Sequence, residues 1–215
     1  MIGALRVGTS AIGGASMRAV AILCLLPTLA LAEDILVDPL SATTNWALTG
    51  QRVCYTLGKS SLAAVKEPAR EGTQGSAKLT YDFDRRWWVG MQWRGEPLVG
   101  RVDKLTFWVH GDASKHQLAA RIQDANDRGF EVRLGALDWE GWRQVTIPLD
   151  DSKWTPALRY AEQRQPVRWP VALREIRLQR ANQETLLGSV ALSELRAESR
   201  IQPLDRVGIA VATDA

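Results

Sequence analysis

A chain of 215 residues suits one domain with flanking segments, and its 46% hydrophobic and 24% charged residues are ordinary for a globular protein. The net charge of +3 comes from 27 basic and 24 acidic residues, and Arg6 and Arg18 supply two of those charges. No basic run interleaved with aromatics occurs, which argues against a nucleic-acid partner. Nine tryptophans against three phenylalanines is unusual, because Trp is favoured where a large ring is half buried and half available.

Residues 1–32 read as a leader and secretory signal peptide. In Met17–Ala32 a basic residue precedes an apolar stretch that ends in Ala30-Leu31-Ala32, so cleavage is expected before Glu33. The apolar core falls short of the roughly 20 residues that a membrane span needs, although an N-terminal anchor is the alternative reading. Met1–Ser16 has no pattern and is either an extended leader or an upstream start. Secretion to the periplasm or medium follows, with no membrane contact after cleavage. Cys24 lies inside the signal, so the mature chain has a single thiol, Cys54, and no internal disulfide. Cys54, in the apolar run Val53-Cys54-Tyr55, reads as a small core residue rather than a nucleophile.

Residues 33–199 read as a succession of short strands. The first is Asp34–Leu40, an edge strand; Trp46–Leu48, Arg52–Leu57 and Ser61–Lys66 follow. Lys78–Phe83 alternates Leu79, Tyr81 and Phe83 against Lys78, Thr80 and Asp82, and Trp87–Trp93 continues with Trp on both faces. Lys104–His110 sets Leu105, Phe107 and Val109 against Lys104, Thr106, Trp108 and His110, and Gly111-Asp112 is expected to break that run. Gln117–Gln123 alternates again, the turn Asp124–Gly129 leads into Phe130–Leu134, and Val145, Ile147 and Leu149 close the unit behind Gly141-Trp142. Asp150–Pro170 is a long polar loop with three prolines; Leu173–Gln179 and Gly188–Leu195 are the last strands. Period-two alternation with turn formers every 8–12 residues, and no 3.6-residue stripe, predicts an all-β fold: a two-sheet antiparallel sandwich. Leu79, Phe107, Ile122, Val132, Val145, Ile147 and Ile176 should be buried in it. Arg200–Ala215 reads as a linker followed by an apolar segment, Val207–Ala212. That segment is either the first strand of a following domain or a strand that pairs back onto the sandwich.

Three strings carry a resemblance: Phe107-Trp108-Val109-His110-Gly111-Asp112, then Arg121-Ile122-Gln123-Asp124, then Leu137-Asp138-Trp139-Glu140-Gly141-Trp142 with Val145-Thr146-Ile147-Pro148-Leu149. They resemble jelly-roll sandwiches of the galactose-binding-like, carbohydrate-binding-module kind, which are often appended to secreted bacterial glycoside-processing enzymes. The resemblance extends more loosely over Asp34–Ser199. It implies a jelly roll that binds a polysaccharide or oligosaccharide, or a structural spacer that packs against a catalytic glycoside hydrolase domain.

No catalytic constellation emerges. Asp138 and Glu140 flank Trp139 but lack the acid–base context of a glycosidase pair. His110 and His116, six apart around a turn, do not have metal-ligand spacing; His116 reads as structural, bonding a loop backbone. No cofactor or metal is expected, and calcium dependence stays open. The candidate carbohydrate-binding residues are Trp108, Arg121, Gln123, Arg177 and Gln179, with Arg133 nearby. Each lies out of phase with the apolar residues of its own strand, so a single sandwich is expected to set them on one common face. Planar amide and guanidinium donors beside an aromatic ring suit a sugar's hydroxyl edges and apolar C–H faces. Trp87, Trp88 and Trp93 are candidates for an added stacking platform, with one of Trp87 and Trp88 expected in the core; Trp139 and Trp142 are expected to pack under the sandwich.

Overall fold

The computed structural model describes residues 33–51, 58–84, 86–95, 98, 102–150, 154–156 and 167–199. The leader and signal, the strand expected at Arg52–Leu57 with Cys54, and Arg200–Ala215 lie outside the described residues.

Every regular element among the described residues is a strand. In chain order these are β1 (Glu33–Asp38), β2 (Trp46–Gly50), β3 (Ser61–Val65), β4 (Ser76–Asp82), β5 (Trp88–Trp93), β6 (Val102–Asp112), β7 (Gln117–Gln123), β8 (Gly129–Ala136), β9 (Glu140–Pro148), β10 (Thr155–Pro156), β11 (Ala172–Gln179) and β12 (Leu187–Ser199). They form two six-stranded sheets, antiparallel throughout. Sheet 1 runs β3-β4-β12-β6-β9, with β1 also on β12; sheet 2 runs β10-β8-β7-β11-β5-β2. The long β12 is shared lengthwise: its first half pairs with β4, its second half with β1, and its other edge with β6. The changeover falls at the irregularity between Ser193 and Arg196, where Glu194 has φ of 50°.

The alternation places the core where the sequence requires it. Leu79, Phe107, Val109, Ile147 and Leu192 face inward from sheet 1, and Met91, Leu118, Ile122, Val132, Ile176 and Leu178 from sheet 2, each at most 2% exposed. All seven residues expected to be buried are buried, Val145 being the most accessible of them at 7%. Burial of each large apolar side chain is worth about 1.5–3 kcal/mol.

Four expectations need correction. Gly111-Asp112 does not end β6; the ladder continues through Gly111↔Gly141 to Asp112↔Glu140. Gly111 is needed because a Cβ there would run into the Trp139 carbonyl, so the glycine serves close packing rather than a turn. Neither Trp87 nor Trp88 enters the core: Trp87 is 60% exposed and Trp88 faces outward, while Trp93 fills the core against Trp46 at a ring separation of 4.9 Å. Trp142 does not pack under the sandwich; it lies half-buried on the outer side of sheet 1, edge-on to its cross-strand neighbour His110 at 5.3 Å. The fourth correction concerns Trp108 and is taken with the site.

His116 is a structural pin. It is fully buried between Tyr81 and Phe83, and one ring nitrogen, Nε2, lies 2.6 Å from the Thr185 carbonyl. Its Nδ1 accepts the backbone N–H groups of Ala181 (3.3 Å) and Asn182 (3.4 Å), so Nε2 carries the proton and donates to Thr185. One imidazole thereby fastens the β11–β12 connection to the β6–β7 turn. Burial pushes its pKa below the ordinary histidine value, against the opposing effects of the Thr185 hydrogen bond and the nearby Asp112.

Candidate binding faces

A sandwich has two outer faces, and the candidate residues divide between them. Arg121, Gln123, Arg177 and Gln179 project from β7 and β11 on the outside of sheet 2. Trp108 projects from β6 on the outside of sheet 1, beside Ser193 and Gln144. The expected common face is therefore corrected: four of the five residues share a face and Trp108 does not. β6 and β7 are consecutive in sequence, but the turn between them crosses from one sheet to the other, so equal phase on the two strands means opposite sides of the molecule.

On sheet 2 the register sets one row as Gln92, Glu175, Arg121 and Glu131, and the next as Gly90, Arg177, Ala119 and Arg133. Arg177 lies between small neighbours; a Cβ on Gly90 would stand 2.9 Å from the Arg177 Cβ. Its guanidinium covers Trp88 at 4.1 Å, donates to Glu175 through Nε (3.0 Å) and Nη2, and reaches Glu131 at 3.5 Å. Gln179 donates to the same Glu131 oxygen at 2.9 Å. Arg177 is only 6% exposed, so it and Gln179 organise the face rather than present donors to a ligand.

Gln123 is also engaged at both ends of its amide, donating to Asp127 at 2.8 Å and accepting from Arg174. The turn that presents Asp127 is held by Asp124, which accepts backbone N–H groups of Asn126 (2.9 Å) and Arg128 (3.0 Å) and the Arg128 guanidinium. Burial alone would raise the Asp124 carboxyl; the side-chain and backbone bonds from Arg128 outweigh it and hold the group below the ordinary carboxylate range. Arg121 differs from its neighbours in having no side-chain hydrogen bond or ion pair among the described residues, because Glu131 and Glu175 on either side are drawn to Arg177. It lines a depression of about 230 Å³ with Gln92, Gln123, Asp127, Arg174 and Glu175. Gln92 and Glu175 were within reach of sequence reasoning, since both fall out of phase with the apolar residues of β5 and β11. Arg174 and Asp127 were not, because an end-of-strand bulge and a turn place them.

Sheet 1 has its own depression of about 370 Å³, lined by Pro68, Lys78, His110, Asp112, Glu140, Ser189 and Ala191 among others. Elsewhere this face is tied up in ion pairs: Lys104 with Glu198 at 2.7 Å, Arg196 with Asp34 at 3.1 Å, and Arg70 with Glu194. Arg70 also lies over Trp108 at 4.9 Å. Asp112 is turned partly inward, accepting the Tyr81 hydroxyl at 2.7 Å, and burial followed by that carboxylate raises the Tyr81 pKa. Among the described residues no group of three or more His, Cys, Asp or Glu is disposed to hold a metal ion.

Two six-stranded antiparallel sheets with polar outer faces define a jelly-roll sandwich. The fold superimposes on a family 11 carbohydrate-binding module from Clostridium thermocellum in complex with a β-1,3-1,4-mixed-linked tetrasaccharide, with a TM-score of 0.54, 14% identity and coverage of 76% of this chain and 94% of that one. The family 11 module of the cellulosomal cellulase Lic26A-Cel5E of the same organism gives 0.53 at 14% identity, covering 77% and 94%. At such identity the likeness is one of fold. In sequence, residues 55–185 match the family of the flagellar filament outer layer protein FlaA, and the chain belongs to that family. A mannan endo-1,4-beta-mannosidase of Bifidobacterium adolescentis is 28% identical over 102 residues, 44% of this chain, and that stretch amounts to 9% of the enzyme's length.

Proposed function

We propose that this chain is an exported, non-catalytic module that binds a neutral polysaccharide or oligosaccharide through the outer face of sheet 2. The observation that carries the reading is the depression around Arg121, where a guanidinium without a hydrogen-bonded or ionic partner among the described residues stands among the amides of Gln92 and Gln123 and the carboxylates of Asp127 and Glu175. Guanidinium and amide donors address sugar hydroxyl oxygens, and the carboxylates accept hydroxyl protons. The network around Arg177 holds this surface in one arrangement before a ligand arrives, which lowers the entropic cost of binding. The fold shared with a module in complex with a β-1,3-1,4-mixed-linked tetrasaccharide, and the local similarity to a mannosidase, favour a glycan as ligand. Export follows from the Met17–Ala32 pattern. Titration of the chain with mixed-linkage glucan and mannan oligosaccharides tests the reading. Binding in the micromolar-to-millimolar range is expected, about 4–8 kcal/mol; absence of binding at millimolar ligand rejects it.

A second reading is a structural sandwich that packs against protein and binds no free ligand, either in a surface layer or as a spacer beside a catalytic glycoside hydrolase domain. The family match favours the layer form. Under this reading the sheet 2 face is covered in the assembly, and Arg121→Ala disrupts co-assembly rather than glycan binding.

A further inference from the structure

We propose that the outer face of sheet 1 carries a second glycan groove, running across β12 from Glu140 and Asp112 to Lys78 and Pro68. The proposal rests on the carbohydrate reading above but on a different face and different residues.

The groove follows from side-chain size. On the outward side of β12 the residues are Ser189, Ala191 and Ser193. Larger groups flank them across both ladders: Thr80 beside Ser189, Lys78 and His110 on either side of Ala191, and Trp108 beside Ser193. Trp142 extends the wall beyond His110. From Ser189 to Ser193 the strand rises roughly 13 Å at its usual spacing. The segment around Pro68 forms part of the opposite wall and is fixed by Ser76 Oγ donating to the Pro68 carbonyl (2.7 Å) and Thr73 Oγ1 donating to that of Arg70 (2.7 Å).

One feature distinguishes this groove from ordinary solvated surface. Lys78 and Glu140, which line it, have no hydrogen-bonded or ionic partner for their side chains among the described residues, although ion pairs occupy the rest of the same face. The lining combines one cation, two carboxylates, an imidazole and a serine, with the Trp142 indole beside the imidazole. An anionic ligand would meet Asp112 and Glu140, and a cationic one Lys78; a neutral polyhydroxylated chain suits all three.

The test is calorimetric titration of the exported chain with mixed-linkage glucan and mannan oligosaccharides, comparing wild type, Lys78→Ala/Glu140→Ala and Arg121→Ala. Thermal melts confirm that each variant is folded. The expected result is two sites per chain in wild type and one in each variant, with only wild type cross-linking soluble polysaccharide into a precipitate. If Lys78→Ala/Glu140→Ala binds with wild-type stoichiometry and affinity while Arg121→Ala abolishes binding, the groove is overturned and the sheet 2 reading stands. If the double variant alone abolishes binding, the groove holds and the sheet 2 site falls. If wild type binds neither glycan, both fall.

Discussion

The two outer faces of the sandwich solve the problem of exposed polar side chains differently. On sheet 2 a single buried arginine, Arg177, gathers Glu131, Glu175 and Trp88 around itself and leaves Arg121, between two engaged carboxylates, without a hydrogen-bonded or ionic partner among the described residues. On sheet 1 the ion pairs lie along the β1–β12–β6 region, and the part beside β4 and β9 is a groove floored by small residues. Pairing therefore has opposite consequences. On sheet 2 it produces a stiff, preformed surface; on sheet 1 it takes up charges in one half and leaves a concavity in the other.

The sharpest way to break the contrast is to remove its organiser. Arg177→Ala leaves two carboxylates without their shared partner, and with Arg177 nearly buried the predicted loss of stability is about 2–3 kcal/mol, read by urea or thermal unfolding. The counterpart on sheet 1, Arg196→Ala, involves a side chain about a third exposed and should cost under about 1 kcal/mol. Equal losses would mean that the sheet 2 network is no more than surface pairing.

His116 tests whether the loops joining the faces are as rigid as the faces. The His116→Ala substitution orphans two backbone N–H groups and one carbonyl and should destabilise by about 2 kcal/mol. The pH dependence has a definite sign. The folded-state pKa lies below the unfolded value near 6.5, so the stabilising contribution is complete above that value and declines as pH falls through 6.5 toward the folded pKa. Asp124, also depressed, adds a second loss at lower pH, between its unfolded value near 3.8 and its folded one. Unfolding free energies from pH 8 to pH 3 should therefore fall in two stages, and His116→Ala should remove the first. A wild-type profile flat between pH 7 and 5 would contradict the pinning role.

Arg121→Ala should leave stability within about 0.5 kcal/mol of wild type, since no partner among the described residues is lost, while weakening glycan binding on sheet 2 by about 2 kcal/mol or more, enough for that site to drop out of the titration. Calorimetry and a melt on the same sample check both halves. The smallest effect is expected at Arg70, whose removal costs a partly exposed ion pair and the contact with the Trp108 ring: about 0.5–1 kcal/mol in a melt, with a change in tryptophan fluorescence.

What could be read from the chain alone was each residue's phase. Alternation along Lys104–His110 or Gln117–Gln123 states which side chains turn toward a core and which turn away, because successive Cβ atoms on a strand point to opposite faces. That property is local, and it sufficed for the sandwich class, the buried set and the outward placement of Trp108, Arg121, Gln123, Arg177 and Gln179. It did not reveal that β6 belongs to one sheet and β7 to the other, that β12 changes partner at Glu194, or that Trp87 and Trp88 stay out of the core. Nor did it show that, among the described residues, Arg177 is engaged and Arg121 is not. Those outcomes depend on pairing between strands far apart in sequence: β11 with β5 and β7, and β12 with β4, β6 and β1. Two outward residues share a face only when their strands share a sheet, and strand phase carries no information about that choice.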